Sequence, residues 1–396
     1  MKALVLDATW DPRPDYEVSA SEHDQRRAMD ASAIWRDPQF RVEERQRPEP
    51  AADEVLVAVK YVGICGSDVA FVETDEDGYV HYSAYADLPT VLGHEFVGEV
   101  VETGGDVRLF ETGNLVTAEV TDYCGRCDMC RNGFTGHCEN FEQLGFTRPG
   151  AMAEYVAVPE KLCWDVADLS RAYDDEDAML RAAATVEPST ITYYGLFGRA
   201  EGIRPGDSYA FHGLGPIGLT GMNVARAAGA GRVFGFELGE ERREIAREMG
   251  FEHIYDPTAV DPVDVVESVT EGWGVDVHIE TAGAVRATYP IIGETLAETA
   301  NVVHVSNAGE PASVDLRHYQ ASAAQLYGTE GHTGDRIFQN VIRLMAAGHL
   351  DNLPIVTSTY DLANADDAVR QAAERVNGKV MIDVSAAIKS DSHTDG

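Results

Sequence analysis

Residues 208–218 read SYAFHGLGPIG. The run SYAFHG (208–213) is short, apolar and closed by glycine, as a buried strand is. Gly213, Gly215 and Gly218 then stand at G-x-G-x-x-G spacing, with Pro216 and Ile217 in the last gap. An Ala-rich stretch with helical spacing continues to about residue 229. Strand, glycine turn and helix in that order give the pattern its specificity. The first glycine permits a tight turn, the second lets backbone approach a pyrophosphate, and the third lets helix pack on strand. Free N–H groups and the helix dipole favour phosphate at the helix N-terminus. Glu237 ends the next strand, 19 residues past Gly218. An acidic side chain there would accept hydrogen bonds from the ribose hydroxyls of NAD. Arg242 and Arg243 follow and could receive the 2′-phosphate of NADP, so both dinucleotides stay open.

Outward from this turn, strands and helices alternate. RVFGFE (232–237), HIYD (253–256), VDVHIETAG (275–283), NVVHVSN (301–307) and QLYGTEGH (325–332) read as strands. EERREIAREMG (240–250), an acidic segment near 261–271 and IFQNVIRLMAAG (337–348) read as helices. That alternation predicts a doubly wound parallel sheet of the Rossmann kind over 191–351. Residues 1–190 differ. MKALVLDATW, RVEERQ, EVLVAVKYVGIC, VLGHEFVGEVVETG, NLVTAEV and AEYVAVP all have strand character, joined by glycine-rich connections. Residues 11–40 are polar with Pro-rich ends and read as an insertion holding a short helix. GKVMIDVS near the C-terminus is again strand-like and is expected to return to the first domain. The domains are thus expected at 1–190 with 352–396, and at 191–351. KSDSHTDG is a polar tail, expected to be disordered.

Six cysteines occur, and four fall in one lobe, CGRCDMCRNGFTGHC (124–138). Cys124-x2-Cys127-x2-Cys130-x7-Cys138 supplies four thiolates within fifteen residues. Four sulfurs can close around one tetrahedral zinc and leave no open position, so the lobe at 122–140 is expected to hold a structural ion. The lobe is otherwise polar, so the metal would supply much of its folding energy. The other signals are dispersed: GICGSD (63–68) and GHE (93–95).

The chain carries 67 Asp+Glu against 31 Lys+Arg, a formal net charge of -36, and only five of the basic residues are Lys. Such a surface argues against nucleic acid as a partner. It fits an enzyme built for molar salt, where the Debye length shrinks to about 3 Å and self-repulsion largely vanishes. The apolar runs are too short for a membrane span. The start has no basic, apolar and small-residue order of a secretory leader, so a cytoplasmic location is expected.

GICGSD, GHE, the four-cysteine lobe and GLGPIG, taken together and in this order, resemble the zinc-containing medium-chain dehydrogenases. The resemblance covers nearly the whole chain and is strongest to the polyol branch that includes sorbitol and threonine dehydrogenases. Glu187 in VEPST is similar to the "EP" segment of sorbitol dehydrogenases. DATWDPRPDY, TDEDGYVHY and GTEGHTG resemble the scyllo-inosose 3-dehydrogenase type. The resemblance implies a GroES-like, mostly β catalytic domain before the Rossmann domain. It also implies two Zn2+ ions per chain, NAD or NADP as acceptor, and a homo-oligomer, dimer or tetramer. Cys65, His94 and Glu187 would hold the catalytic zinc, with Glu95 behind them or exchanging onto it, and Glu154 nearby. Three protein ligands leave one position for a substrate oxygen. A carboxylate in place of a second thiolate makes the set harder, which suits a polyol hydroxyl.

The implied reaction oxidises a secondary alcohol of a polyol, cyclitol or sugar to a ketone. The metal would act as a Lewis acid on the hydroxyl, Ser67 would take its proton, and hydride would pass to nicotinamide C4. Family members often carry a relay histidine five residues after the first zinc cysteine. Here that position is Ala70, so the proton needs another path, through water, Glu95 or a histidine such as His81. Phe71, Tyr79, His81, Tyr82 and His332 are the expected pocket residues. Glucose 1-dehydrogenase, threonine 3-dehydrogenase and general alcohol dehydrogenase are the neighbouring readings. A non-catalytic NAD(P)-binding zinc protein is the reading from outside the enzymes.

Overall fold

Strand Glu54–Gly63 is buried along most of its length and is the hub of the first of two units. Its Val/Leu-rich sequence suits a strand with neighbours on both edges. Along one edge it pairs antiparallel with Glu95–Thr103. Along the other it pairs first with Tyr155–Pro159 and then, at its end, with Lys379–Asp383. These belong to a seven-stranded sheet that also holds Leu115–Ala118, Cys163–Asp165 and Val356–Asp361. A three-stranded sheet of Lys2–Trp10, Trp35–Glu44 and Thr90–Val91 and a two-stranded pair, Thr121–Asp122 with Glu142–Gln143, complete the β framework. The apolar core includes Leu4, Val57, Phe96, Met152 and Ile382.

The computed structural model describes residues 1–332, 334 and 336–385, so the expected disordered tail lies outside the described residues. The first unit is Met1–Glu187 with Val356–Arg375 and the described residues from Lys379 onward; the second is Pro188–Ile355 with Val376–Gly378. The sequence reading puts the divisions at 190/191 and 351/352, a few residues away. Boundaries at a continuous helix carry little compositional signal: Glu187 and Pro188 both lie in the helix Val186–Tyr193.

The insertion at 11–40 contains two short helices, Ala20–Gln25 and Ala31–Ile34. Ser19 and Glu22 form a capping box on the first, and Asp30 caps the second. The following strand starts at Trp35, six residues before the apolar alternation of RVEERQ. A bulge opposite Asp7–Thr9 takes up Asp37 and Pro38, and so tolerates a proline that would otherwise break the ladder.

The second unit holds one parallel six-stranded sheet. Its order is His253–Tyr255, Arg232–Phe236, Ser208–His212, Val275–Glu280, Leu296–His304 and Gln325–Gly328. The chain leaves the central strand Ser208–His212 in one direction and later returns on its other side. That reversal is the switch point at which doubly wound sheets bind ligands. Among the described residues no helix is long and apolar enough to cross a membrane.

Candidate active site and metal centres

Strand register builds the first cluster. Gly63 pairs with Glu95 on one side and with Met381 on the other. His94 precedes Glu95, Cys65 follows Gly63 by two residues, and Lys379 precedes Met381 by two. One sulfur, one imidazole nitrogen and one carboxylate oxygen, from Cys65, His94 and Glu95, lie within 4.8 Å of one another. Gly63 is required by this packing, because a Cβ there would stand 2.5 Å from Glu95 Oε2. Gly93 has φ +92° with Met152 and Val62 against it, a conformation and a space that only glycine fills.

Cys65 is the N-cap of the one-turn helix Gly66–Val69, and its backbone N–H donates to Asp68 Oδ2 at 2.9 Å. Asp68, His94 and Glu95 are buried. Lys379 is the buried cation of the cluster: its Nζ donates to Glu95 Oε2 at 2.5 Å and to the Ile64 carbonyl at 3.0 Å. Burial opposes charge on His94, yet Asp68, Cys65 and Glu187 outweigh it and carry the imidazole up to about 10. Burial pushes Asp68 and Glu95 upward. Lys379 is also raised, against its burial, by Glu95, Cys65 and Glu187. A buried pocket with a thiol, an imidazole and three carboxylates against a single lysine has donors to spare for a cation.

The sequence reading puts Glu187 third in this ligand set and Glu95 behind it. In the structure Glu95 shares the set, being fixed beside His94 by the strand. Glu187 lies outside it, buried in the first turn of its helix, with its charge felt at His94, Glu95 and Lys379. Glu154 is buried, but its Oε2 accepts the backbone N–H of Lys2 at 2.9 Å, which gives it a structural tie to the N-terminal strand. Ser67 lies on the Gly66–Val69 helix, and Ala70 is its C-cap.

Cys124, Cys127, Cys130 and Cys138 form the second cluster, again with sulfurs within 4.8 Å of one another. Backbone N–H groups of Cys124 and Asn140 donate to Cys138 Sγ, each at 3.3 Å, and that of Cys127 donates to Cys124 Sγ at 3.4 Å. Backbone N–H groups of Arg126 and Cys127 hold the Cys124 thiol down at about 6, so a thiolate is available to a metal at neutral pH. Arg148 ties the lobe to the β framework by pairing with Asp122 and Glu54.

The dinucleotide turn has the expected form. Gly213 has φ +97°, and a Cβ there would crowd Ala282. A Cβ on Gly218 would stand 2.1 Å from the Gly213 carbonyl oxygen. Gly215 is the N-cap of helix Pro216–Ala227, with Pro216 and Ile217 in its first turn. Glu237 accepts the N–H of Leu214 at 2.7 Å and that of Gly239 at 2.9 Å, which staples the turn to the neighbouring strand. Arg242 Nε donates to the Asn377 carbonyl, and its guanidinium lies 3.7 Å from the position a Gly215 Cβ would take. Arg243 is excluded as a phosphate receptor. It is buried and donates to the carbonyls of Glu237 and Leu238.

Residues 51–168 match the alcohol dehydrogenase GroES-like domain, and residues 216–347 match the zinc-binding dehydrogenase domain. Scyllo-inosose 3-dehydrogenase of Thermotoga maritima is 37% identical over 384 residues, 94% of this chain and 96% of that protein. The chain belongs to the zinc-containing medium-chain dehydrogenases. L-threonine 3-dehydrogenase of Caldanaerobacter subterraneus is 32% identical over 85% of this chain and 93% of its own length. A solved chain from Thermotoga maritima superposes with TM-score 0.92 at 36% identity, covering 97% of this chain and 100% of that one. The protein is therefore a zinc- and NAD(P)-dependent dehydrogenase of the alcohol and polyol type, with a GroES-like and a Rossmann domain.

The dehydrogenase also places residues that motif reading passed over. Lys379 sits in GKVMIDVS, where a lysine amid apolar residues was the available signal. Phe146 was missed too. Its ring is 5.2 Å from that of His94 and stacks at 4.8 Å on Tyr82, which in turn stacks on Phe71. Of the expected pocket residues, Tyr82 and Phe71 thus stack with Phe146, the ring beside His94. Tyr79 is held under Arg13, His81 is half exposed, and His332 belongs to the second unit.

Proposed function

We propose that this dehydrogenase oxidises a ring or chain secondary hydroxyl of a cyclitol or closely related polyol to the ketone, with NAD as the preferred acceptor. The observation that carries the reading is the donor set: one thiol, one imidazole and a carboxylate converge, with Glu187 buried within charge reach. An oxygen-richer set favours a hard alcohol oxygen. Similarity to scyllo-inosose 3-dehydrogenase over nearly the whole chain supports the cyclitol class.

Cys65, His94 and a carboxylate hold the catalytic zinc; Glu95 is the carboxylate at hand, and Glu187 is the one expected from the sequence. Zinc there supplies Lewis-acid activation of the substrate hydroxyl. Ser67 takes the hydroxyl proton at its Oγ. Phe146, with Tyr82 stacked on it, walls the imidazole and keeps water from it. Lys379 holds Glu95 Oε2 and so fixes the direction of that carboxylate. Cys124, Cys127, Cys130 and Cys138 hold the second, structural zinc. Gly213, Gly215 and Gly218 admit the pyrophosphate, and Glu237 and Arg242 meet the adenosine ribose. The enzyme is cytoplasmic, salt-adapted and homo-oligomeric in this reading.

A screen of cyclitols, alditols and aldoses with NAD and with NADP in molar KCl tests it. Turnover should concentrate on cyclitols with NAD; turnover confined to simple alcohols or threonine would overturn the substrate class. Metal analysis should return about two zinc per chain. Loss of one zinc in Glu95→Gln but not in Glu187→Gln assigns the third ligand to Glu95.

A further inference from the structure

The parallel sheet carries a cleft on the edge opposite its glycine turn. The cleft has a volume of about 410 Å3 and lies wholly within the second unit. Ser208 and Arg232 are the first residues of their strands, Asp276 and Ala297 the second residues of theirs, and all four line it. It therefore crosses the N-terminal ends of four neighbouring strands. The dinucleotide turn leaves the other end of Ser208–His212, one strand length or about 17 Å away. Clefts of this size hold small molecules.

Trp273 forms part of the wall. It is 77% exposed, although tryptophan is on average a well-buried residue. Its loop is not loose. Glu271, Gly272 and Gly274 all have positive φ. The N–H of Gly272 donates to the Glu267 carbonyl at 2.9 Å, that of Trp273 to the Thr270 carbonyl at 3.1 Å, and that of Gly274 to Thr270 Oγ1 at 3.1 Å. Backbone thus holds the indole at the cleft. Gly231 and Gly274 keep the lining bare, since a Cβ on either would strike backbone, 2.3 Å from the Gly206 carbonyl oxygen and 2.8 Å from the Ala297 nitrogen.

Polar groups complete the lining. Arg232 stands at one end of the row of four strands and Glu298 at the other. Both are exposed, and neither has a hydrogen bond or ion pair among the described residues. A bulge brings Glu298 to the rim: where Val275–Glu280 advances two residues, its partner advances five, from Leu296 to Asn301. Thr299 beside it takes φ +60°, which a β-branched residue rarely adopts. Asp276 lies between the two ends. The Ser208 N–H and hydroxyl donate to its Oδ2 at 2.8 and 2.7 Å and so orient the carboxylate.

We propose that this cleft binds a neutral ring polyol, a free monosaccharide or a cyclitol, at the sheet edge opposite the dinucleotide turn. The indole offers a flat apolar face to the C–H side of such a ring, while Arg232 donates to its hydroxyls and Asp276 and Glu298 accept from them. Charge selects against other ligands. Two carboxylates against one guanidinium, in a chain of net charge -36, repel a phosphate. Arg232 in turn repels an organic cation stacked on the indole. A ligand rich in hydroxyls and without charge satisfies all three side chains.

The test reads the indole itself. Trp10, Trp35 and Trp164 belong to the first unit, so Trp273 is the one tryptophan of the second. The zinc-loaded enzyme without NAD is titrated with glucose and with myo-inositol while tryptophan emission is followed. The wild type should show a saturable change that Trp273→Phe lacks. Arg232→Ala and Glu298→Ala keep the indole and should each weaken the apparent affinity roughly tenfold, with the melting temperature unchanged. A response to one polyol alone upholds the site and assigns it to sugar or to cyclitol. Identical titrations of wild type and Trp273→Phe overturn the proposal. So does a change that Arg232→Ala and Glu298→Ala both leave intact, which marks an effect of bulk solvent. A change produced by AMP or tetramethylammonium but by neither polyol overturns it as well, since the cleft then takes an anion or a cation. Turnover enters none of these readings, so failure of the cyclitol-oxidation proposal leaves this test untouched.

Discussion

Lys379 Nζ lies 2.5 Å from Glu95 Oε2 where neither side chain reaches water: they are 1% and 0% exposed. Two charges removed from solvent are held by each other and by one carbonyl, that of Ile64. Removing one partner leaves the other buried and unpaired, which costs on the order of 3–5 kcal/mol. Lys379→Met should therefore lower the denaturant midpoint sharply. Adding Glu95→Gln to it should recover part of the loss, and a double-mutant cycle measures the coupling. Additive effects would mean the pair is not coupled. Gly63→Ala should weaken the same site, because the added methyl meets Glu95 Oε2.

Glu237 staples the glycine turn and, in the proposed function, would also meet the adenosine ribose. Glu237→Ala should raise KM for NAD about tenfold, the factor of one bond worth ~1.4 kcal/mol. KM for NADP should rise less, since the repulsion of a 2′-phosphate is removed at the same time. An unchanged ratio of the two KM values would take the residue out of cofactor choice.

His212 and His278 are buried side by side on adjacent strands, with Nε2 of the first 3.2 Å from Nδ1 of the second. Burial drives both down, His278 to about 4. The unfolded chain binds protons at these residues below about 6.5 while the native pair stays neutral. Stability is therefore unaffected by the pair above that pH and falls as pH drops from there toward 4. His278 alone accounts for about 3 kcal/mol over that window. Urea unfolding of wild type and His278→Gln at pH 7.5 and pH 5 checks this. The variant should lose less stability between the two pH values than the wild type does.

A formal net charge of -36 makes self-repulsion large in dilute buffer. The melting temperature should rise substantially between low salt and molar KCl, as screening shortens the reach of each charge. An identical melting temperature under both conditions would end the salt-adaptation reading.

The parts of the fold legible in the sequence are those in which local chemistry and structure coincide. GLGPIG needs its glycines because Gly213 has positive φ and Gly218 touches backbone, and both demands are local. The four cysteines are close in sequence, so spacing alone announced their cluster. The first cluster was harder to read, because it is made by register. Gly63 sits opposite Glu95 and Met381 across strands more than thirty residues apart in one case and more than three hundred in the other. Resemblance supplied Cys65 and His94, but the choice between Glu95 and Glu187 depends on which oxygen the sheet brings forward. Lys379 has no motif at all. The insertion was visible as polar composition, but its tie to the segment that carries Asp75 depends on long-range pairs such as Arg13 with Asp75.

The first unit closes with a strand drawn from the end of the chain, Lys379–Asp383, set against Glu54–Gly63. During synthesis the ribosome delivers Cys65, His94 and Glu95 long before it delivers Lys379, and the whole Rossmann unit emerges in between. The nascent chain can thus complete its dinucleotide-binding half while the other half still lacks both its last central strand and the cation that balances Glu95. Assembly of the cluster around Glu95 consequently waits for the strand Lys379–Asp383, and a chain cut just before Lys379 should fold one half and fail to assemble the other.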